Sequence, residues 1–69
     1  MPRIINYWPR IINYARDGDL KKVEECITNG DDINVTNSNG ETALMEASYN
    51  GHLAVVTSLI IADADINVT

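Results

Sequence analysis

Three groups of residues carry side chains able to do chemistry. They are His52, Cys26, and two acidic runs, Asp31-Asp32 with Asn34 and Asp63 and Asp65 with Asn67. His52 is the one histidine and the obvious acid–base candidate. It follows a turn glycine, Gly51, and opens an apolar helical pattern, where an imidazole caps or packs. No nucleophile, base and orienting group lie together near it, so no catalysis is expected there. Cys26, the one cysteine, falls on the apolar side of a helical pattern and reads as a buried, inert thiol. The acidic runs invite a calcium reading. A loop of the EF-hand kind needs glycine at its sixth position and glutamate at its twelfth, and neither run provides them. Solvated loops account for these acids, and no metal or cofactor is expected. Asn34-Val35-Thr36 and Asn67-Val68-Thr69 match the N-glycosylation acceptor pattern. With no signal-like segment in view they read as idle.

The elements that must position these residues are limited by size. A chain of 69 residues forms one small domain and buries only about 60% of its unfolded surface. One cysteine excludes an internal disulfide, so regular packing or a partner has to hold the fold. Net charge is −5, with ten acidic and five basic residues, and no Lys or Arg follows Lys22. A phosphate backbone would be repelled by most of this surface, so nucleic acid is not an expected partner. No apolar run approaches the ~18 residues that a membrane span needs. Pro9, Arg10 and Asn13 interrupt any signal-like core near the start, and the lone cysteine suits a reducing compartment. An intracellular, cytoplasmic location is the expectation.

Along the chain, Pro2-Arg3-Ile4-Ile5-Asn6-Tyr7 recurs letter for letter as Pro9-Arg10-Ile11-Ile12-Asn13-Tyr14. Proline breaks a helix interior but suits a helix start, so a helix begins near Pro9 and residues 1–8 form an apolar arm. Ile11, Ile12 and Ala15 share one face of that helix. Asp17-Gly18-Asp19 ends it, and Asp19 caps a second helix with Leu20, Val23, Cys26 and Ile27 inward. Lys21 and Glu25 are spaced as an i,i+4 pair on its outer side. Asn29-Gly30 closes it. Asn37-Ser38-Asn39-Gly40 reads as a hairpin turn. A third helix is expected from Thr42 to Asn50-Gly51, and a fourth from His52 to about Ile61.

The two halves repeat. Ile33-Asn34-Val35-Thr36 recurs as Ile66-Asn67-Val68-Thr69, an offset of 33. At the same offset Gly18, Leu20, Val23 and Ile27 fall on Gly51, Leu53, Val56 and Ile60. Glycines and apolar positions coincide, so one supersecondary unit occurs twice. The sequence here resembles the ankyrin-repeat family, whose unit of about 33 residues is a β-turn and two helices. The resemblance rests on Gly40, Thr42, Leu44, Ala47, Gly51-His52-Leu53, Val55-Val56, Leu59-Ile60, Ala64-Asp65 and Asn67. The earlier copy keeps Gly18-Asp19-Leu20, Val23, Ile27, Gly30, Asp32 and Asn34. The family's Thr-Pro-Leu-His opening stands as Thr42-Ala43-Leu44-Met45, and Asp63 takes the place of a glycine, where fraying of the fourth helix is expected.

The resemblance implies an all-α fold of two stacked helix–turn–helix repeats with a protruding β-hairpin or turn between them. An atypical first repeat spans about 9–36 and a second about 37–69. It implies a non-catalytic module that binds another protein through hairpin tips and first-helix ends. The matching positions are Ser38, Asn39 and Glu41 at the tip, Tyr49 and Asn50 in the second copy, and Arg16 and Asp17 in the first. Alternatively the chain is a piece of a longer array with a stacking role, exposing Leu59 and Ile60 at its open C-terminal end and self-associating there.

Overall fold

The computed structural model describes residues 8–67, with side chains described as far as 63. The arm at 1–7 and the Val68-Thr69 end lie outside the described residues. Four helices follow in order: α1 (Arg10–Asp17), α2 (Leu20–Thr28), α3 (Ala43–Tyr49) and α4 (Leu53–Asn67). Helix α1 pairs with α2 and α3 with α4, and the pairs stack, α1 on α3 and α2 on α4.

Local chemistry sets the boundaries. Pro9, at φ −51°, presets the entry to α1. The Asp19 carboxylate accepts from the Lys22 amide at 3.2 Å, and the Thr42 hydroxyl from the Met45 amide at 3.3 Å, so α2 and α3 each start on a side-chain cap. Helices α1 and α3 close identically. Gly18 N–H donates to the Ala15 carbonyl and Asp19 N–H to that of Tyr14; Gly51 and His52 do the same to Ser48 and Ala47. This paired bonding around a left-handed glycine is the Schellman motif, reproduced 33 residues apart.

Helix α4 departs from expectation. It runs through Asn67 rather than stopping near Ile61 or fraying at Asp63. In α2 the equivalent position is Gly30, at φ +87°. Asp63 does not supply that left-handed stop, so the helical bonding continues. The hairpin also differs. The turn at Asn37–Gly40 is present, but no strand occurs among the described residues. Gly40 N–H donates to the Asn37 carbonyl and Asn37 N–H to that of Glu41, both at 3.0 Å. Neither Ser38 nor Asn39 takes positive φ, whereas Gly40 does, which fits a turn closed by one left-handed glycine. With no ladder bonds beyond it, the protrusion is a turn on irregular arms.

The core is one cluster shared by both pairs: Ile11, Ile12, Ala15, Val23, Cys26 and Ile33 from the first copy, with Ala43, Ala47, Val55, Leu59 and Ala62 from the second. Leu59, expected at an exposed end, is only 1% exposed, because it occupies the place that Cys26 holds in α2. On the outer side of α2 the pair that forms is Lys22–Glu25 at 3.8 Å, not Lys21–Glu25.

Candidate interaction surface

Stacking brings the equivalent helix ends together. Arg16 and Asp17 close α1, Tyr49 and Asn50 close α3, and all four are exposed. Tyr49 is 81% exposed. The Asn50 side chain donates to the Glu46 carbonyl at 2.8 Å, finishing α3. Arg16 lies 3.4 Å from Asp17, and its guanidinium sits 5.2 Å from the Trp8 ring centroid, a cation–π distance.

His52 joins the two copies. Its Nε2 is 3.0 Å from the Arg16 carbonyl oxygen. A carbonyl only accepts, so Nε2 is the protonated nitrogen. The imidazole lies against Gly18, where an added Cβ would come within 2.6 Å of Nδ1. The ring is therefore a packing element spanning 36 residues of sequence.

At the turn, Ser38 and Asn39 are exposed, but Glu41 is half-buried. Asn37, buried beneath them, organises the loop. Its Oδ1 accepts from the Asn39 and Glu41 amides at 2.9 Å, and its Nδ2 donates to Glu41 Oε1 at 3.0 Å. Glu41 is thus committed to the turn. Glu46, buried on α3, has its carboxyl pushed up by burial and by its contact with Glu41, against a weaker pull from Arg16.

The acidic loop residues also have structural partners. Arg10 grips Asp31 in a two-pronged pair at 2.7 and 2.8 Å, which holds the Asp31 carboxyl below its ordinary range. Asp32 accepts from the Asn34 amide at 2.9 Å, closing a local turn. Cys26 is buried, and burial followed by its contact with Asp31 pushes the thiol up, away from the reactive thiolate. Among the described residues no three His, Cys, Asp or Glu side chains cluster to hold a metal ion. Nor is any described helix long and apolar enough to cross a membrane.

Three features escaped the sequence reading: the Arg10–Asp31 pair, the role of Asn37 and the burial of Glu46. Only the last had a signal, since Glu46 lies between Ala43 and Ala47 on the small-residue face of α3.

This geometry, two capped helix pairs in one register, is that of a repeat protein. Residues 9–69 match the family description of ankyrin repeats, and the chain belongs to that family. It is 45% identical over 53 residues to an ankyrin repeat protein of Escherichia coli (strain K12), YahD, covering 77% of this chain and 26% of that protein. It is 43% identical over 54 residues to ankyrin repeat domain-containing protein 29 of Danio rerio, covering 77% and 18%. It is also 39% identical over 47 residues to acyl-CoA-binding domain-containing protein 1 of Arabidopsis thaliana, covering 68% and 14%. The chain thus spans about a quarter or less of these curated relatives. Ankyrin repeats are in general protein–protein interaction modules and typically non-enzymatic.

Proposed function

We propose that this chain is a non-catalytic module, intracellular and cytoplasmic, that binds another protein. Its contact strip combines the turn tip (Ser38, Asn39), the end of α3 (Tyr49, Asn50) and the end of α1 (Arg16, Asp17), with Glu41 holding the tip in shape. The observation that carries this reading is Tyr49, a large aromatic 81% exposed at the end of a stacked first helix. Tyrosine offers a broad contact at low entropic cost and is enriched among binding hot spots. The test compares partner capture by the native chain with capture by Tyr49→Ala and Glu41→Ala, after circular dichroism has shown each variant folded. Both changes should abolish capture; capture unaffected by both refutes the assignment.

A second reading is supported by the exposed apolar side chains of Leu44, Met45 and Ile60 in the second copy. The chain is then a piece of a longer array whose role is stacking, and in isolation it self-associates. Sedimentation at micromolar concentration should show dimers or larger species, and a clean monomer counts against it.

A further inference from the structure

Glu46 is buried between Ala43 and Ala47 on α3, 7% exposed, and the contact strip makes no use of it. Its neighbours fix where a proton must sit. Asn37 Oδ1 accepts from the Asn39 and Glu41 amides, and a backbone N–H only donates, so the orientation of the Asn37 carboxamide is determined. Nδ2 therefore faces Glu41 Oε1, 3.0 Å away, and Glu41 is an acceptor. The Glu46 carboxyl is in hydrogen-bonding contact with that same Glu41 carboxyl. Two carboxyl oxygens bond only through a proton, and two ionised carboxyls in contact repel. Glu41 accepts from Asn37 on one side, so the proton belongs on Glu46. The other charged groups nearby leave this unchanged. Arg16 on α1 and the first-turn position in α3 favour the ionised form, but burial and Glu41 outweigh them. Asp17 on α1 is exposed and lies 3.4 Å from Arg16, while Arg10 is held by Asp31. Among the described side chains of α4 the one titratable group is Asp63, which lines a groove with Leu44 and Ile60. His52, at the entrance to α4, is bonded to the Arg16 carbonyl.

We infer that Glu46 keeps its proton and donates it to Glu41, latching the contact turn to α3, and that raising the pH removes this proton and frees the turn. The inference rests on the reading of Ser38 and Asn39 as part of the contact strip, and it adds a condition under which that part of the strip is held in shape. Repulsion between two ionised carboxyls has to be relieved by whichever side moves more easily. Helix α3 is fixed, with Ala43 and Ala47 at 0% exposure in the core it shares with α1 and α4. The turn is not: no strand flanks it among the described residues, and it is closed by its two backbone bonds and by Asn37. The turn therefore yields, and the clamp of Asn37 on Glu41 loosens with it. The direction in pH follows from linkage. The Glu46 carboxyl is pushed up in the folded protein, so the latch is complete below the ordinary value of 4.5 and is lost as pH rises through the folded value.

The test is an NMR titration of the isotope-labelled full chain, without any partner, from about pH 5 to about pH 8, above the ordinary glutamate range. The side-chain carboxyl carbon of Glu46 should titrate inside this window. The Asn37 carboxamide protons and the Asn39 and Glu41 amides should shift with the same midpoint. Solvent exchange of those two amides, divided by the unfolded-chain rate, should rise about threefold or more across the step, as expected for the loss of one hydrogen bond. Glu46→Gln keeps a donor and removes the charge, so its turn amides should stay protected at every pH. Glu41→Gln keeps an accepting oxygen and removes the like charge, so Glu46 should titrate at a lower pH. The inference is overturned by a Glu46 carboxyl already ionised at the start of the titration, or by a midpoint that Glu41→Gln does not move. Turn amides that ignore the step, or that follow it equally in Glu46→Gln, overturn it too. Partner capture by Tyr49→Ala is read separately: unaffected capture refutes the contact strip and leaves the latch standing, and a failed titration does the reverse.

Discussion

Replacing Gly18 by alanine tests how the two copies are locked together. Gly18 sits at φ +74°, and a Cβ there would meet His52 Nδ1 at 2.6 Å, Cε1 at 2.7 Å and Cγ at 2.9 Å. Two costs follow. An L-residue in the left-handed region costs about 1–2 kcal/mol. The imidazole must also swing away, breaking its hydrogen bond to the Arg16 carbonyl, worth about 0.5–1.5 kcal/mol. The sum is about 2–3 kcal/mol, a large share of the roughly 3–10 kcal/mol expected for a chain of this size. Gly51 is the built-in control. It has nearly the same φ, +72°, in the same motif, with nothing within 4 Å of an added Cβ. Gly51→Ala should therefore show the backbone cost alone. Urea unfolding followed by far-ultraviolet circular dichroism measures both, and the excess for Gly18→Ala should be about 1 kcal/mol, or roughly 4–8 °C in Tm. In a His52→Ala background that excess should vanish. A Gly18→Ala cost no greater than that of Gly51→Ala would refute the argument.

Asn37→Ala should destabilise by about 1–2 kcal/mol, because it removes the acceptor for two amides and the clamp on Glu41; a change within a few tenths in urea melts would show the turn holds itself. Glu46 has a raised folded-state pKa, so the stability it contributes is complete below its ordinary value of 4.5 and is lost as pH rises toward the folded value. Glu46→Gln should then gain over the native chain as pH climbs from about 4.5 to 7, whereas parallel thermal-melt profiles would contradict the burial argument. Asp63→Gly should restore the left-handed stop and end α4 near Ala62; Cα chemical shifts at 64–67 that stay helical would show that something other than the missing glycine extends it.

What was legible in the sequence was mostly local. Asp19 as a cap, and Gly18 and Gly51 as stops, act within four residues of themselves, and the structure has them in those roles; Thr42, expected only as a helix start, caps α3 in the same way. The helix pairs follow from apolar spacing, and their stacking from the register. Long-range pairing was not legible. Nothing beside Arg10 announces Asp31, 21 residues on, and nothing beside His52 announces the Arg16 carbonyl. The missing strands have a related cause: an Asn-Gly turn specifies a reversal, but a ladder needs arms that bond each other, and these do not. For the surface, the family resemblance placed Ser38, Asn39, Glu41 and Tyr49 outward; Glu41 is instead half-buried and tied to Asn37. The distinction between Leu59 and Ile60 needed the depth at which α4 sits, because one residue is in the core and its neighbour is outside it.

The central claim is that one unit occurs twice, with equivalent positions covered in the first copy and bare in the second. Methyl-labelled NMR with a soluble paramagnetic probe tests it directly by comparing Ile11 with Leu44, Ile12 with Met45, and Ile27 with Ile60. In a dilute sample every second-copy methyl should broaden more strongly than its partner 33 residues earlier. Equal broadening within the pairs, or the reverse order, would contradict the stacked, one-sided arrangement.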